Sequence, residues 1–427
     1  MKSVKTIPRI ILLTSSLSYR AEPFLEAACK LGVEAIQGLD MPQPLAQYWQ
    51  AALPVDFKEP AKAARDIFNF AADAPVQAII PVDDGATVIA ALACDLLDLS
   101  HNSPEAAYAA RNKARMRELL AQAQAPSPAF RVFHVDDDPR TLATQIAYPC
   151  VVKPLMLSAS QGVIRANDPD EFVKAFQRTS WIVRATGSQT DESSDHTHVL
   201  VEDFIPGFEV ALEGILSHGQ LKLLALFDKP DPLDGPYFEE TIYVTPSRLP
   251  DEVQQAIFAC AARACRALGL REGPVHAELR VNEHGPWLVE VAGRSIGGLC
   301  SKTLRFDTAG LSLEELILRQ ALGIEIDSLL RERQASGVMM IPIPGAGILK
   351  KVEGIEAAQA VPFITEIEIS IKPDNRVVPL PEGNSYLGFI FARGDRPEQV
   401  EAALREAHRK LQFTIVPEIR LTVSSEQ

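Results

Sequence analysis

Two glutamates, Glu278 and Glu290, lie at equal distances along the chain from His284, in a stretch that resembles two strands joined by the turn 282–286. In a regular antiparallel hairpin, residues placed in this way face each other on the same side. Opposed carboxylates repel one another unless a cation lies between them. Mg²⁺ suits that position, because it prefers one or two carboxylates together with water and phosphate oxygens. The hairpin alone leaves a second interpretation open, in which both glutamates are simply solvated.

Lys153 stands at the end of an apolar strand and precedes a loop of small residues that contains Ser158, Ser160 and Gly162. A lysine beside such a loop can hold a phosphate group through its charge and through backbone N–H groups. The P-loop pattern G-x-x-x-x-G-K-[ST] is absent. A lysine at a strand end often only extends its charge to solvent, so this segment by itself is a weak indication.

Glu202, Asp203 and Ile205 lie where another apolar strand ends in the sequence V-E-D-F-I-P-G, and Glu209 begins the next strand. An adenine base needs an apolar slot and one backbone donor and acceptor. This hinge offers both, although a turn at a strand edge needs no ligand to explain it.

The elements that must position these residues begin with an open α/β pattern. An apolar strand at 10–13, a helix at 21–31 and another apolar stretch after Gly32 predict a β–α–β start. A second copy, with a strand at 78–82 and a helix at 87–97, extends this pattern into a mostly parallel sheet. No G-x-G-x-x-G follows the first strand, so a dinucleotide site there is not expected. A chain of 427 residues predicts two to four domains in all.

Strands dominate the middle of the chain, after a helix that is predicted to begin at Ser103 and to continue through 111–124. They are predicted at 150–153, 198–204, 209–216, 221–227, 275–281 and 287–291. The polar stretch 187–196 is interpreted as a mobile surface loop. Residues 331–337 are interpreted as a linker to a separate α+β domain, in which strands at 367–371 and 386–392 precede a helix at 397–411.

Charge and composition narrow the class of partners. A net charge of −14 argues against a broad nucleic-acid or anionic-membrane surface. The apolar stretch 10–13 is far shorter than a membrane span. The six cysteines include no C-x-x-C pair, which favours reduced thiols. We therefore expect a cytoplasmic protein that acts on small molecules, without nucleic-acid or membrane partners.

The order of these segments resembles the ATP-grasp superfamily of carboxylate–amine ligases. A lysine on the helix after the first domain (Lys113), the Lys153 segment, the hinge with Glu209 and the Glu-x-Ala-x-Arg hairpin occur in that order. The resemblance implies a fold of α/β and α+β domains. It comprises a Rossmann-like N-terminal domain at 1–100, an ATP-grasp domain at 101–330 with its lid at about 149–204, and a C-terminal α+β domain at 338–427.

The resemblance also implies roles for individual residues. It assigns ATP to Lys113 and Lys153 on the phosphates, Ser158, Ser160 and Gly162 in the lid loop, Glu202, Asp203 and Ile205 at the adenine, and Glu209 at the ribose. It assigns two Mg²⁺ ions, with Mn²⁺ as an alternative, to Glu278 and Glu290.

One departure points to a branch of the superfamily. Many ATP-grasp enzymes place an Asn two residues after the second metal glutamate, and here that residue is Ala292. Glu290-Val-Ala-Gly-Arg294 looks like the L-amino acid ligase, or dipeptide synthetase, branch. Arg294, with Lys153, would be catalytic and would hold an acyl phosphate, and its alternative role is a salt bridge to the metal-site glutamates. The expected substrate contacts are His276, Arg294, Gly297, Gly298, Lys229 and Glu240.

The function implied is an ADP-forming ligase that activates a carboxylate as an acyl phosphate and joins it to an amine, with two amino acids as the expected substrates. Two alternatives remain open. One is a carboxylase-like enzyme that activates bicarbonate or another small acid, although the chain lacks an Ala/Val-Met-Lys-Met biotin motif. The other is a non-catalytic ATP-binding protein that acts by interaction. Relatives in the superfamily are often homodimers, so a homodimer is also open.

Overall fold

A computed structural model describes residues 7–16, 18–49, 52–187 and 194–418. The N-terminal part forms a four-stranded parallel sheet in the order β3-β2-β1-β4. Its elements are β1 Arg9–Ser15, α1 Ala21–Leu31, β2 Glu34–Asp40, α2 Gln43–Trp49, β3 Leu53–Val55, α3 Pro60–Asp73, β4 Ala78–Pro81 and α4 Thr87–Leu97. The apolar run at 10–13 is fully buried in β1, as expected for a strand with helices on both faces. The predicted β–α–β start is confirmed.

A second, antiparallel sheet of four strands, in the order β5-β8-β6-β7, lies in the middle of the chain. The elements from the first domain to this sheet are α5 Pro104–Arg111, α6 Lys113–Gln122, β5 Phe130–His134, α7 Pro139–Ala143, β6 Cys150–Pro154, β7 Ile164–Ala166, α8 Pro169–Thr186, α9 Ser194–Thr197 and β8 His198–Asp203. Helix α8 covers one face through the buried rings of Phe172 and Phe176. Its start is set by Asp168, whose carboxylate accepts from the N–H of Glu171, and by Pro169.

The predicted helical run at 111–124 is interrupted. Asn112 has an extended backbone, and its side chain accepts a hydrogen bond from the N–H of Arg115. Asn112 is therefore the cap that starts a new helix, and Lys113 is the first residue of α6. The predicted surface loop 187–196 falls partly outside the described residues, at 188–193, and residues 194–197 form α9.

The largest sheet has eight strands in the order β13-β12-β9-β10-β11-β14-β18-β16. Its elements and those beside it are β9 Phe208–Ser217, β10 Gln220–Lys229, β11 Ile242–Thr245, α10 Asp251–Leu268, β12 Gly273–Asn282, β13 Gly285–Ala292, α11 Leu313–Ala321, β14 Ala335–Ile341, β15 Gly347–Glu353, α12 Ile355–Gln359, β16 Ile364–Ile369, β17 Arg376–Val377, β18 Gly388–Gly394, α13 Pro397–Lys410 and β19 Gln412–Val416. A small sheet of β17, β15 and β19 lies beside it.

One sheet continues from the central part of the chain into the C-terminal part. β14 pairs with β11 on one side and β18 on the other, so a single sheet crosses the predicted boundary. The predicted linker 331–337 is wrong in its second half, because Ala335, Ser336 and Gly337 are buried residues of β14. The domain limits inferred from the sequence remain predictions. No helix among the described residues is long and apolar enough to cross a membrane.

Candidate active site

Glu278 and Glu290 are paired across β12 and β13, as the sequence predicts, but for a different reason. The hairpin turns between Asn282 and Gly285, and this register alone would place Glu278 opposite Val289. A β-bulge between Glu278 and Leu279 shifts the pairing by one residue and brings Glu290 opposite Glu278. Bulges of this kind re-aim side chains next to active sites.

A hydrogen bond connects the bulge to a buried group of three charged side chains. Val289, the extra residue, has a carbonyl that accepts a hydrogen bond of 2.6 Å from Arg117. Arg117 also donates to Glu202 at 2.9 Å, and the other oxygen of Glu202 accepts from Lys153. Arg117, Glu202 and Lys153 have side-chain exposures of 1%, 4% and 6%. Burial alone would raise the pKa of Glu202, but the two cations hold it below its ordinary value.

Lys113 reaches the same region from the start of α6. Its ammonium lies 3.1 Å from a carboxylate oxygen of Glu290 and donates to the carbonyl of Leu157 at 2.8 Å. The side chain is 6% exposed. The helix cap at Asn112 thus aims a buried cation at one of the two paired glutamates and at the beginning of the lid loop.

Glu278 is the centre of a second charged network. The ammonium of Lys229 lies 3.2 Å from Glu278 and 2.8 Å from Glu209, and it also contacts Glu240. One carboxylate oxygen each from Glu209, Glu240 and Glu278 lies within 4.8 Å of the others. Burial alone would raise the pKa of Glu278, but Lys229 and His276 hold it well below its ordinary value. Burial and the neighbouring Glu278 raise the pKa of Glu240 to about 7 against the effect of Lys229.

His276 links this network to the loop after β13. One ring nitrogen pairs with Glu213 and the other lies 3.4 Å from Glu278. Burial alone would lower the pKa of His276, but Glu213 outweighs it and, with Glu278, raises the pKa to about 9. The second oxygen of Glu213 accepts from the N–H of Ile296. His276 and Glu278 thus lie on the same face of β12.

The hinge between β8 and β9 contains one backbone N–H group that has no hydrogen-bond partner among the described residues. The N–H of Asp203 donates to Ala129, and that of Phe204 donates to Pro149. Among the described residues, the N–H of Ile205 has no partner, and Ile205 borders the same cavity as the charged residues. A flat base with one acceptor at its edge would fit that position.

Arg294 makes a two-pronged ion pair with Asp84, with distances of 2.8 and 2.7 Å. Asp84 follows β4 in the N-terminal sheet, so this pair joins that sheet to the loop after β13. Burial alone would raise the pKa of Asp84, but Arg294 lowers it. The alternative role considered for Arg294 was a salt bridge to the metal-site glutamates, and the bidentate partner is instead Asp84.

One cavity of about 670 Å³ collects nearly all of these groups. The predicted site residues that border it are Lys113, Lys153, Ser158, Ser160, Glu202, Asp203, Ile205, Glu209, Glu240, His276, Glu278, Glu290, Arg294, Gly297 and Gly298. Two predicted residues do not border it. Lys229 lies beneath the three glutamates with 2% of its side chain exposed, and the N–H of Gly162 donates to the carbonyl of Pro381 instead of pointing to a ligand.

The family comparison agrees with this geometry. Residues 146–303 match a model of the ATP-grasp domain. The chain contains an ATP-grasp domain. Residues 339–416 of the same chain match a model described as L-amino acid ligase C-terminal domain 2.

Individual relatives and a solved structure are similar to the chain. The ATP-grasp protein is 25% identical to alanine–anticapsin ligase of Bacillus subtilis over 74% of its own length and 68% of the relative. It is 29% identical to dapdiamide A synthase of Enterobacter agglomerans over 52% of its length and 51% of the relative. The alignments therefore cover between half and about two thirds of the length of these relatives. The crystal structure of an L-amino acid ligase from Bacillus licheniformis has the same fold, with a TM-score of 0.80, 24% identity, and coverage of 96% and 99% of the two chains.

Sequence reasoning missed several residues that build the site. Arg117, Glu213 and Tyr243 lie inside α6, β9 and β11 and carry no local pattern that marks them. The hydroxyl of Tyr243 donates a hydrogen bond of 2.7 Å to Glu240. Asp84 is likewise absent from the predicted site residues. Its place after the carboxyl end of a parallel strand, where open α/β sheets bind ligands, is the signal that could have identified it.

Proposed function

We propose that this ATP-grasp protein is an ADP-forming ligase that joins the carboxylate of one amino acid to the amine of another. The observation that carries the proposal is the bulge-dependent pairing of Glu278 with Glu290 in the cavity that also holds Lys113 and Lys153. Acidic pairs hold divalent cations, and lysines neutralise phosphate oxygens. The two relatives that are named as a ligase and a synthase support the same chemistry.

In the proposed reaction, an oxygen of the substrate carboxylate attacks the γ-phosphorus of ATP. The bond from that phosphorus to the β,γ-bridging oxygen breaks, and ADP leaves. The amine then attacks the acyl carbon, the bond from carbon to phosphate oxygen breaks, and phosphate and a proton are released. Such transfers need positioning and charge neutralisation more than covalent help from the protein.

The residues of this chain have separate parts in that reaction. Glu202 holds Lys153 in place, and Glu290 does the same for Lys113, so both ammonium groups are positioned for the nucleotide. Ile205 offers its free N–H to the adenine. Arg294, fixed by Asp84, presents a cation at the acyl end.

The donor set fits Mg²⁺. Glu278 and Glu290 face each other, and the carboxylates of Glu209 and Glu240 lie close to Glu278. Oxygen-only ligands favour Mg²⁺ or Mn²⁺ over softer metals. When bound, Mg²⁺ supplies neutralisation of the charge that the phosphate oxygens carry.

The bicarbonate-activating alternative has less support. Biotin carboxylases share the fold, with a TM-score of 0.66 for the Campylobacter jejuni enzyme at 17% identity. At 17% identity, this likeness supports a shared fold and says nothing about the substrate. The match of residues 339–416 to the L-amino acid ligase C-terminal domain favours amino acid substrates. ADP release that depends on bicarbonate and not on amino acids would favour the carboxylase reading.

A glutamate-to-glutamine substitution tests the proposal. We expect Glu290→Gln to lower amino-acid-dependent ADP release by about a hundredfold or more, equivalent to about 2.7 kcal/mol in the barrier, and to weaken the binding of Mn²⁺ measured by electron paramagnetic resonance. The matched control is Glu283→Gln, in the turn of the same hairpin, where the side chain is 76% exposed. The control should retain activity. Unchanged turnover in Glu290→Gln would refute the assignment of the metal site.

A further inference from the structure

We propose that Tyr19 and Tyr386 form the wall of a side-chain pocket that selects an amino acid substrate with a bulky, uncharged side chain. The inference rests on the proposed ligase function and names the substrate class for one end of the cavity. Both tyrosines border the cavity, although one belongs to the N-terminal part of the chain and the other to the C-terminal part.

The two tyrosines share a neighbour, Phe389. The ring of Tyr19 lies edge-on to Phe389 at a centroid distance of 5.7 Å, and the ring of Tyr386 does the same at 6.2 Å. Cys300 and Met340 complete this corner, with their sulfur atoms 3.8 Å apart, and both border the cavity. The corner is therefore built from aromatic and sulfur-containing side chains, which contact apolar groups well.

The corner lies away from the nucleotide hinge. Met340 belongs to β14 and Glu209 to the start of β9, and three strand-to-strand steps separate these strands in the sheet. At about 4.8 Å for each step, the separation is roughly 14 Å. A group bound in this corner is therefore too far along the sheet to be the adenine, and it belongs to a substrate instead.

Two glycines, Gly297 and Gly298, border the cavity at this corner with backbone atoms only. A Cβ atom on Gly298 would lie 3.0 Å from the ring of Phe389, and its backbone φ of +61° also favours glycine. A Cβ atom on Gly297 would meet no atom within 4 Å, and Gly297 borders the cavity. Gly298 lies against Phe389, the neighbour of both tyrosines, so the backbone at 297–298 leaves space that a substrate side chain can occupy.

Charged groups near the corner already have protein partners. Glu240, the charged group that most affects the pKa of Tyr386, pairs with Lys229 and accepts a hydrogen bond from the hydroxyl of Tyr243. Arg20 donates to the carbonyls of Ser295 and Ile296, and Asp83 accepts from the N–H of Ser15. Burial raises the pKa of Tyr19 to about 12 and that of Tyr386 well above its ordinary value, so both phenols stay neutral. A charged substrate side chain would lose its water here without gaining a free counter-ion.

The test compares two opposite changes to the pocket. Tyr386→Ala removes the wall, and we expect kcat/KM for phenylalanine and leucine to fall about tenfold or more, while that for alanine changes by less than about twofold. Gly297→Leu fills the space and should lower kcat/KM for phenylalanine and leucine more than that for alanine. Tyr386→Phe is the matched control and should keep the preference of the natural protein. KM for ATP should stay unchanged in the two Tyr386 variants.

The outcomes separate the pocket from the catalytic proposal. An equal fall of kcat/KM for every amino acid in Tyr386→Ala, with a normal circular dichroism spectrum, would overturn the pocket. Tyr19→Ala provides a second variant of the same wall, should Tyr386→Ala fail to fold, and must show the same selective loss. If the natural protein released no ADP with any amino acid pair, the ligase function would be refuted. Thermal shifts with single amino acids would then still test the pocket, because bulky amino acids should stabilise the natural protein and not Tyr386→Ala.

Discussion

At the scale of single residues, Glu202 shows how the chain holds cations ready for a polyphosphate. Two cations, Arg117 and Lys153, share its carboxylate in a site with almost no exposure to solvent. A buried carboxylate with two cationic partners is costly to assemble, and breaking such a group by removing one member leaves buried charge without compensation. Glu202 therefore has a structural role in addition to its place in the proposed adenine hinge.

We expect Glu202→Gln to lower the free energy of unfolding by about 3–5 kcal/mol at pH 7, measured by urea unfolding followed by circular dichroism. Glu118→Gln is the control, because Glu118 forms an exposed pair with Arg115 on α6 and should cost at most about 1 kcal/mol. If the two substitutions lowered the free energy of unfolding equally, this would contradict the assignment of Glu202 to a buried network of ion pairs.

The decrease in the free energy of unfolding caused by Glu202→Gln should also depend on pH. The pKa of Glu202 is lowered in the folded protein relative to its ordinary value of 4.5. A carboxylate of this kind contributes stability that is fully present above its unfolded pKa and is lost as the pH falls through its folded pKa. The difference in unfolding free energy between the natural protein and the variant should therefore be constant near pH 7 and should narrow below about pH 4.5.

The sequence predicts the chemistry of the residues better than their contacts. Glu278 and Glu290 were found from their symmetry about His284, but that symmetry assumed a regular hairpin, and the pair exists because a bulge corrects the register. Lys229 was predicted to contact substrate, yet it is buried beneath three glutamates. Contacts between residues distant in sequence, such as Arg294 with Asp84, have no local pattern that could predict them.

At the scale of elements, the lid loop after β6 is fastened to the C-terminal part of the chain. The N–H of Gly162 donates to the carbonyl of Pro381 at 2.8 Å, and the side chain of Gln161 donates to the carbonyl of Glu382 at 2.7 Å. The carboxylate of Glu382 accepts two hydrogen bonds from Arg178 on α8, at 2.6 and 2.9 Å. Residues 381–382 thus connect the lid to the segment that carries Tyr386.

We expect Glu382→Ala to increase the rate of nucleotide release by up to about fivefold, because an exposed ion pair contributes about 1 kcal/mol or less. Stopped-flow displacement of a fluorescent ATP analogue measures that rate. The charge-swapped pair Arg178→Glu with Glu382→Arg should recover much of the difference. Glu406→Ala, which removes an exposed pair with Arg409 on α13, should leave the rate unchanged. Failure of the swapped pair to slow release would show that Arg178 and Glu382 do not act together.

Regular elements follow closely from the sequence, and their ends follow where a cap is present. Helix α4 occupies the predicted residues, Thr87–Leu97. The break at Asn112 was missed, because an Ala-rich run on either side gave one continuous helical pattern, and the cap depends on a single side-chain hydrogen bond. The first residue after that cap is Lys113, so the missed break is what aims the predicted phosphate ligand.

At the scale of the whole molecule, one sheet unites the central and C-terminal parts of the chain. Strand β14, Ala335–Ile341, is buried along its whole length between β11 and β18. The sequence suggested a boundary there because Arg331, Glu332 and Arg333 precede the strand and interrupt the apolar pattern. The pairing of strands that are distant in sequence overrides this local signal, so the two parts should unfold together.

Gly337 tests this continuity, because it lies in β14 beside β11 and α13. A Cβ atom at Gly337 would lie 2.7 Å from Val400 and 2.8 Å from the backbone oxygen of Tyr243, so an added methyl group has no space. We expect Gly337→Ala to lower the free energy of unfolding by about 1–3 kcal/mol. Gly345→Ala is the control, since a Cβ there meets no atom within 4 Å, and it should have little effect.

The strands that lose stability in Gly337→Ala show whether the sheet unfolds as one unit. Amide hydrogen exchange followed by mass spectrometry reports the local stability of each strand. In Gly337→Ala, exchange should accelerate in β9 and β10 of the central part as well as in β14 and β18, because all four belong to one sheet. Acceleration confined to the C-terminal strands would mean that the chain unfolds in two steps, with the boundary where the sequence first suggested it.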